Sequence, residues 1–332
     1  MSAARAVVFA YHDVGVRCLR TLACAGLEIP LVITVRDDPA ETQWFASVAR
    51  TAGELGLEVT FPADANAPGT VAAVAAARPD FIFSFYYRSL LKAPLLALAR
   101  RGALNMHGSL LPKYRGRAPV NWAILRGETQ TGATLHYMLE QADAGDIVDQ
   151  LAVPILADDD AREVSNKVTV AAEIILARSL PALLAGTQAR VKQNLEAGQY
   201  CGRRRPEDGR IDWTRPARQI HNLVRAVAPP FPGAFTNVAG KRWRIDRTRV
   251  IAGPGAPGLR TAEAGAADAA GEPFRQAVAG AGPATLFGLR GRCYVACRDG
   301  ALLEILAAAT DAGCVDLPAA ALELQRQPAR LD

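Results

Sequence analysis

Residues 6–35 read AVVFAYHDVGVRCLRTLACAGLEIPLVITV. Ala6–Ala10 is an apolar run of strand length, Val14–Ala25 has the spacing of a helix, and Gly26 supplies its stop. Pro30–Val35 returns to strand. The alternation continues through a helix over Gln43–Leu55 that ends at Gly56, a helix over Thr70–Ala77 and an apolar strand at Phe81–Phe85. A further helix is expected over Ser89–Arg100, ending at Gly102. Strands alternating with helices imply crossover connections, parallel pairing and helices on both sheet faces. The expected class is therefore α/β, with a Rossmann-like doubly wound parallel sheet. The first βα loop, Ala10–Gly15, lacks G-x-G-x-x-G, so it gives no warrant for a dinucleotide.

Further strands are expected at Ala133–Leu139 and Ile147–Pro154. A long helix over Ala161–Ala185 follows Asp158-Asp159-Asp160, an acidic run suited to a helix N-terminus. The texture changes near residue 203. A helix over Pro216–Ala228 is broken by Pro229-Pro230-Phe231-Pro232-Gly233. Short β-like runs follow at Ala234–Val238, Arg242–Ile245, Tyr294–Cys297 and Leu302–Leu306. This organisation predicts two domains, 1–202 catalytic and 203–332 a smaller OB-like, partly open β-barrel. Residues 253–282, rich in Ala, Gly and Pro, read as a flexible insertion.

The chain has 332 residues, 50% hydrophobic and 21% charged, which excludes wholesale disorder and allows a large core. No apolar run approaches the ~18 residues of a membrane span. The N-terminal VVFA is too short, and too soon followed by Tyr11, His12 and Asp13, for a signal peptide, so a cytoplasmic location is expected. The six cysteines are scattered and form no tetrahedral ligand set, so no metal is expected. The net charge of +5 suits an anionic substrate and would equally suit nucleic acid.

The segment carrying chemistry is Leu104–Gln150, beginning LNMHGSLLPKYRGRAP. Asn105 and His107 lie two apart at a strand end, so both face one side. At the carboxyl end of a parallel strand that side opens on the crevice where α/β sheets bind ligands. A carboxamide can donate to a developing oxyanion, and an imidazole can move a proton near neutral pH. The turn Gln141–Asp146 offers Asp143, which could orient His107 and raise its pKa. Two readings stand at this level: a catalytic constellation, or a polar strand end with a turn-forming aspartate.

The run Asn105–Pro112 (NMHGSLLP), with Asp143-Ala144-Gly145-Asp146 downstream, resembles the folate-dependent formyltransferase family. The likeness extends to Val8–Asp13, Phe83–Arg88, His107–Pro119, Asn121-Trp122, Gly127-Glu128-Thr129, Gly202-Arg203-Arg204, Val224–Ala228 and Pro232–Phe235. It covers most of 5–250 and resumes at Cys297–Leu306. Within the family it is most similar to the polymyxin-resistance branch, whose formyltransferase domain acts on UDP-4-amino-4-deoxy-L-arabinose. The chain is too short for that branch's second, decarboxylase domain.

The resemblance implies a formyltransferase fold, 10-formyltetrahydrofolate as co-substrate, a UDP-linked amino sugar as acceptor, and a role in lipid A modification. It implies no metal, membrane or nucleic-acid partner. It assigns Asn105 to the oxyanion, His107 to proton transfer and Asp143 to tuning that histidine. Folate contacts are implied at Ser89, Leu90, Leu91, Arg117, Leu139, Glu140, Gln141 and Ala142. Candidate acceptor or phosphate contacts are His12, Asp13, Tyr86, Tyr87, Lys113, Arg115, Arg203 and Arg204. His136 reads as structural, His221, on a helix away from any polar cluster, as surface or packing, and Trp122, Trp213 and Trp243 as packing. The competing readings are a methionyl-tRNA formyltransferase with the same donor and trio, a formate-releasing hydrolase, and a non-catalytic folate-binding module.

Overall fold

The computed structural model describes residues 3–37, 43–251 and 282–331, so nearly all of the expected insertion at 253–282 lies outside the described residues. The chain forms two compact units. The first comprises 1–120, 130–155 and 163–203; the second comprises 121–129, 156–162 and 204–332. Two short segments before residue 203 thus group with the second unit.

The first unit contains β1 (Arg5–Ala10), α1 (His12–Cys24), β2 (Glu28–Ile33), α2 (Val48–Glu54), β3 (Val59–Thr60), α3 (Pro68–Ala77), β4 (Phe81–Phe85), α4 (Ala93–Leu96), β5 (Gly102–His107) and β6 (Arg115–Gly116). In chain order α5 (Pro119–Leu125) follows, most of it grouping with the second unit, and the first unit continues with β7 (Gln130–Tyr137), β8 (Ile147–Pro154), α6 (Ala161–Ala185) and β9 (Tyr200–Cys201). The main sheet has the order β3-β2-β1-β4-β5-β7-β8. β1 to β5 are parallel, as the alternation predicts. β7 pairs antiparallel with both β5 and β8, so it alone runs against the parallel strands of this sheet. Chain order reverses between β1 and β4, so their carboxyl ends form the switch point of the sheet. Phe9, Phe81, Phe83, Phe85, Leu104 and Met106 are fully buried. Apolar strands covered on both faces read as continuous runs, which is why their sequence was legible.

Two expected helices are shorter than their apolar pattern. Ser47 caps α2 by accepting from Arg50 N at 3.4 Å, leaving Gln43–Ala46 outside the helix. Ser89–Leu91 stay outside any helix, where Asn66 donates to Leu90 O (2.9 Å) and accepts from Lys92 N (2.8 Å). Pro94 then opens the single turn of α4. Helix α6, at 25 residues, is long and apolar enough to cross a membrane, which the sequence reading did not anticipate. Half of its most apolar window is buried, with Val164, Val168, Ala171, Ile175 and Leu183 on the covered face.

The second unit holds α7 (Ala217–Val227), β10 (Ala234–Val238), β11 (Lys241–Ile251), β12 (Thr285–Leu289), β13 (Arg292–Ala296), β14 (Leu302–Thr310), β15 (Gly313–Cys314), α8 (Leu317–Arg326) and β16 (Ala329–Arg330). Its sheet runs β10-β11-β14-β13-β12-β16, with β15 on β14. Its named ladders are antiparallel, and register shifts interrupt β11 against β14. Trp213 and Trp243 are buried in this unit, as expected of packing residues.

A buried polar network fastens residues 156–159 to α7. His221 contacts Thr248 Oγ1 and Ala157 O, both at 3.0 Å. Arg225 donates twice to Asn222 Oδ1 and once each to Leu156 O and Asp159 O. An acceptor stranded in the interior costs more than the bond itself contributes. Replacing Arg225 by Met is expected to destabilise the second unit by about 2–3 kcal/mol, checked by the urea midpoint of unfolding; an unchanged midpoint would show that the network carries no stability.

Candidate active site

Strand β5 ends at His107, and its register sets Asn105 opposite His136 of β7 and His107 opposite Thr134. Thr134 and Gln150 pin the turn that follows. Thr134 Oγ1 donates to Ser109 O (2.6 Å), and Gln150 Nε2 donates to Leu111 O (2.8 Å). Ser109 Oγ donates to Lys113 O at 2.6 Å, which tightens the turn and leads the chain to Tyr114. Tyr114 O lies 2.8 Å from His107 Nε2, and a carbonyl can only accept, so Nε2 carries the proton.

Asp143 arrives from the β7–β8 loop with a left-handed φ of +54°. Gln193 holds this loop by donating to Asp143 O (3.0 Å) and Gly145 O (2.6 Å). Gly145 must be glycine, since a Cβ there would lie 1.9 Å from Tyr137 O. Asp143 Oδ2 accepts from Gly116 N at 2.8 Å. Oδ1 faces Asn105 Nδ2 (3.4 Å), His107 Nδ1 (3.5 Å) and His136 Nε2 (3.6 Å). The residues expected as a trio therefore converge, and His136 joins them.

The electrostatics follow from burial. His107 is buried, and desolvation takes its pKa below the ordinary 6.5. Asp143 and the Tyr114 carbonyl push it back up, and His136 lowers it further. Asp143 thus acts on His107 in the expected direction but is outweighed, so the expectation of a raised histidine pKa is corrected. For Asp143, burial raises the pKa, yet His107, His136 and the Gly116 N–H overcome it and hold the carboxyl well below the usual carboxylate range. The resting site pairs an ionised carboxylate with a neutral imidazole whose unprotonated Nδ1 faces it. If Nδ1 gains a proton, each ring N–H then has an acceptor in place.

His136 is the residue the sequence reading set aside as structural. Its signal was register: an antiparallel β7 puts it beside Asn105, and the direction of that strand is not encoded in its local pattern. Gly116 and Gln193 carried no recognisable signal.

The other expected positions divide. Leu90 and Leu139 are exposed apolar side chains (66% and 55%). Ser89, Arg117, Glu140 and Gln141 are exposed and Ala142 is half-buried. Leu91 is buried, in the core cluster that includes Val7 and Leu95. Tyr87 packs edge-on against Phe9 at 5.3 Å. Lys113 is exposed, and Arg115 donates to Leu195 O at 3.4 Å. Arg203 is exposed; Arg204 donates to Asp208 O and lies over the Trp122 ring.

At the switch point His12 sits between Trp44 (4.5 Å) and Phe45 (4.3 Å), with Tyr86 at 6.2 Å. Asp13 accepts from Ala46 N, holding that aromatic pair. Burial pushes His12 down to about 4, with Asp13 opposing and Arg88 assisting. Among the described residues no group of three His, Cys, Asp or Glu side chains could hold a metal ion.

Burial lowers the pKa of His12, His107 and His221 alike. Each is neutral in the folded protein but titrates near 6.5 once unfolded. Protons therefore bind the unfolded chain first, and stability falls as pH drops below about 6.5. For His12 the loss continues to about pH 4. Asparagine tolerates the left-handed backbone of His12, so His12→Asn should flatten part of this fall. Urea midpoints between pH 7.5 and 4.5 read it, and equal slopes in the two proteins would refute it.

Residues 21–180 match the formyl transferase family model, and 203–313 match the model of the formyl transferase C-terminal domain. Among solved structures, the chain is similar to the N-formyltransferase from Helicobacter canadensis in complex with folinic acid and dTDP-3-aminofucose. That likeness is 18% identical, covers 92% of this chain and 99% of that one, and has a TM-score of 0.66. A sugar N-formyltransferase from Shewanella sp FDAARGOS_354 is similar at 19% identity, over 72% of this chain and 95% of that one, with a TM-score of 0.57. HypX from Aquifex aeolicus in complex with tetrahydrofolic acid is similar at 18% identity, over 93% of this chain and 45% of that one, with a TM-score of 0.59. The structural likenesses speak to the fold; on the two model matches, which take in most of both units, the chain belongs to the formyl transferase family and is a formyltransferase.

Proposed function

We propose that this enzyme transfers the formyl group of 10-formyltetrahydrofolate to the amine of a nucleotide-linked amino sugar, with UDP-4-amino-4-deoxy-L-arabinose as the acceptor. The observation that carries the reading is the convergence of Asn105, His107 and Asp143 around one carboxylate oxygen. The fold relative bound to folinic acid and dTDP-3-aminofucose supports this pairing of donor and acceptor. Exposed Leu90 and Leu139 offer apolar surface suited to a folate ring, with Arg117 suited to its carboxylates. His12, Asp13 and Tyr86 at the switch point, with Lys113 and Arg115, are the candidate acceptor contacts. In a cell that makes this sugar, the activity belongs to lipid A modification and polymyxin resistance, and it takes place in the cytoplasm.

The chemistry follows from the atoms. The neutral amine forms a C–N bond to the formyl carbon, and the carbonyl electrons move onto oxygen. Asn105 donates an N–H to that oxyanion, a contact worth roughly 3–4 kcal/mol in comparable sites. The amine's proton passes to His107 Nδ1, where Asp143 stabilises the resulting imidazolium. The tetrahedral centre then expels the folate nitrogen, which takes that proton as the second C–N bond breaks. Burial keeps His107 neutral beforehand, so it is ready to accept.

Transfer to methionyl-tRNA would engage a polyanion and fall steeply with salt. The test is one assay with 10-formyltetrahydrofolate and three acceptors: UDP-4-amino-4-deoxy-L-arabinose, a dTDP-3-amino sugar and initiator methionyl-tRNA. Turnover with the UDP sugar and little with the tRNA is expected. Preference for the dTDP sugar would replace the nucleotide, preference for tRNA would overturn the acceptor class, and formate release alone would indicate a hydrolase.

A further inference from the structure

We propose that His136 is the positioning residue that fixes which way the Asn105 carboxamide faces. The inference deepens the reading above and rests on Asn105 acting as the oxyanion donor. It begins from two contacts of one buried ring. His136 is 1% exposed, its Nδ1 lies 2.8 Å from Tyr137 O, and its Nε2 lies 3.1 Å from Asn105 Nδ2. A carbonyl oxygen cannot donate, so Nδ1 bears the hydrogen and the neutral ring presents a lone pair at Nε2.

That lone pair selects one of the two orientations of the amide. With Nδ2 toward His136, Asn105 donates to it. With the amide turned over, Oδ1 would face the lone pair of Nε2, and two acceptors would meet. Asp143 Oδ1, 3.4 Å from Nδ2, favours the same orientation. One N–H is thus committed to His136. The other reaches Asp143 Oδ1 at the long distance of 3.4 Å, and it is the donor that turns to the substrate oxygen when the oxyanion forms.

The backbone makes this arrangement stiff. Asn105 and His136 are directly paired in the β5–β7 ladder, where side chains of opposed residues share a face. The β7–β8 ladder shifts register between Leu135 and His136. Such an irregularity re-aims a side chain without breaking the sheet.

The test compares His136→Leu, Asn105→Ala and the double variant, using whichever amine acceptor the wild-type enzyme formylates. A wrong acceptor assignment therefore does not remove it. His136→Leu should lower kcat about 10²-fold, the scale of a misplaced oxyanion donor, with KM for donor and acceptor nearly unchanged. Adding it to Asn105→Ala should cost nothing further, because the residue it orients is already gone. His136→Gln, whose amide can accept from Asn105 and donate to Tyr137 O, should recover part of the rate. Equal losses in the two backgrounds, or a KM that rises with the fall in kcat, would overturn the proposal.

A second readout needs no turnover and no variant. Imidazole nitrogen-15 spectra of the wild-type protein at neutral pH should show His136 with its proton on Nδ1; a proton on Nε2 would refute the orientation argument. It also decides the case if His136→Leu fails to fold or no amino-sugar acceptor is used.

Discussion

A carboxylate removed from water must be compensated, and Asp143 is compensated from several directions at once. One oxygen takes the Gly116 amide, and the other is ringed by Asn105, His107 and His136 at 3.4–3.6 Å. Burial alone would favour the protonated acid; the Gly116 and Asn105 N–H donors, and the positive charge His107 takes up when it gains a proton, favour the ionised form. The same burial drives His107 the other way, toward the neutral ring. Environment thus pushes the two titrations apart, the arrangement expected of a proton-transfer pair.

The fold supplies these partners from separate stretches of chain. β5 contributes Asn105 and His107, the turn clamped by Thr134 and Gln150 contributes Tyr114 O, and β6 contributes the Gly116 amide. The β7–β8 loop contributes Asp143. Gly116 can approach because its φ is +96° and it lacks a Cβ, which would otherwise meet Cys201 O at 2.3 Å. β7 must run antiparallel for His136 to reach Asn105. The antiparallel end of the sheet is therefore part of the site, and not a decoration on a parallel core.

Much of this was legible in the sequence. Fully buried strands such as Phe81–Phe85 and the 25-residue α6 have apolar patterns that nothing else competes with, and their limits match the structure. The Asn105–His107 spacing was legible because period-two geometry leaves one arrangement. What was not legible depends on contacts distant in sequence. Asn66 bonded to Leu90 and Lys92 keeps an apolar segment from forming the helix its composition suggests. His136 required the direction of β7, which local pattern does not encode. The sign of the His107 shift required knowing its burial, which sets the largest contribution.

The central claim is that a permanently charged Asp143 enables His107 to take and return a proton. It is tested most directly by the single-turnover rate of formyl transfer in Asp143→Asn, an isosteric change, alongside its thermal unfolding. The account predicts a rate lower by about 10²- to 10⁴-fold in a protein that still folds. A rate near that of the wild type would contradict it.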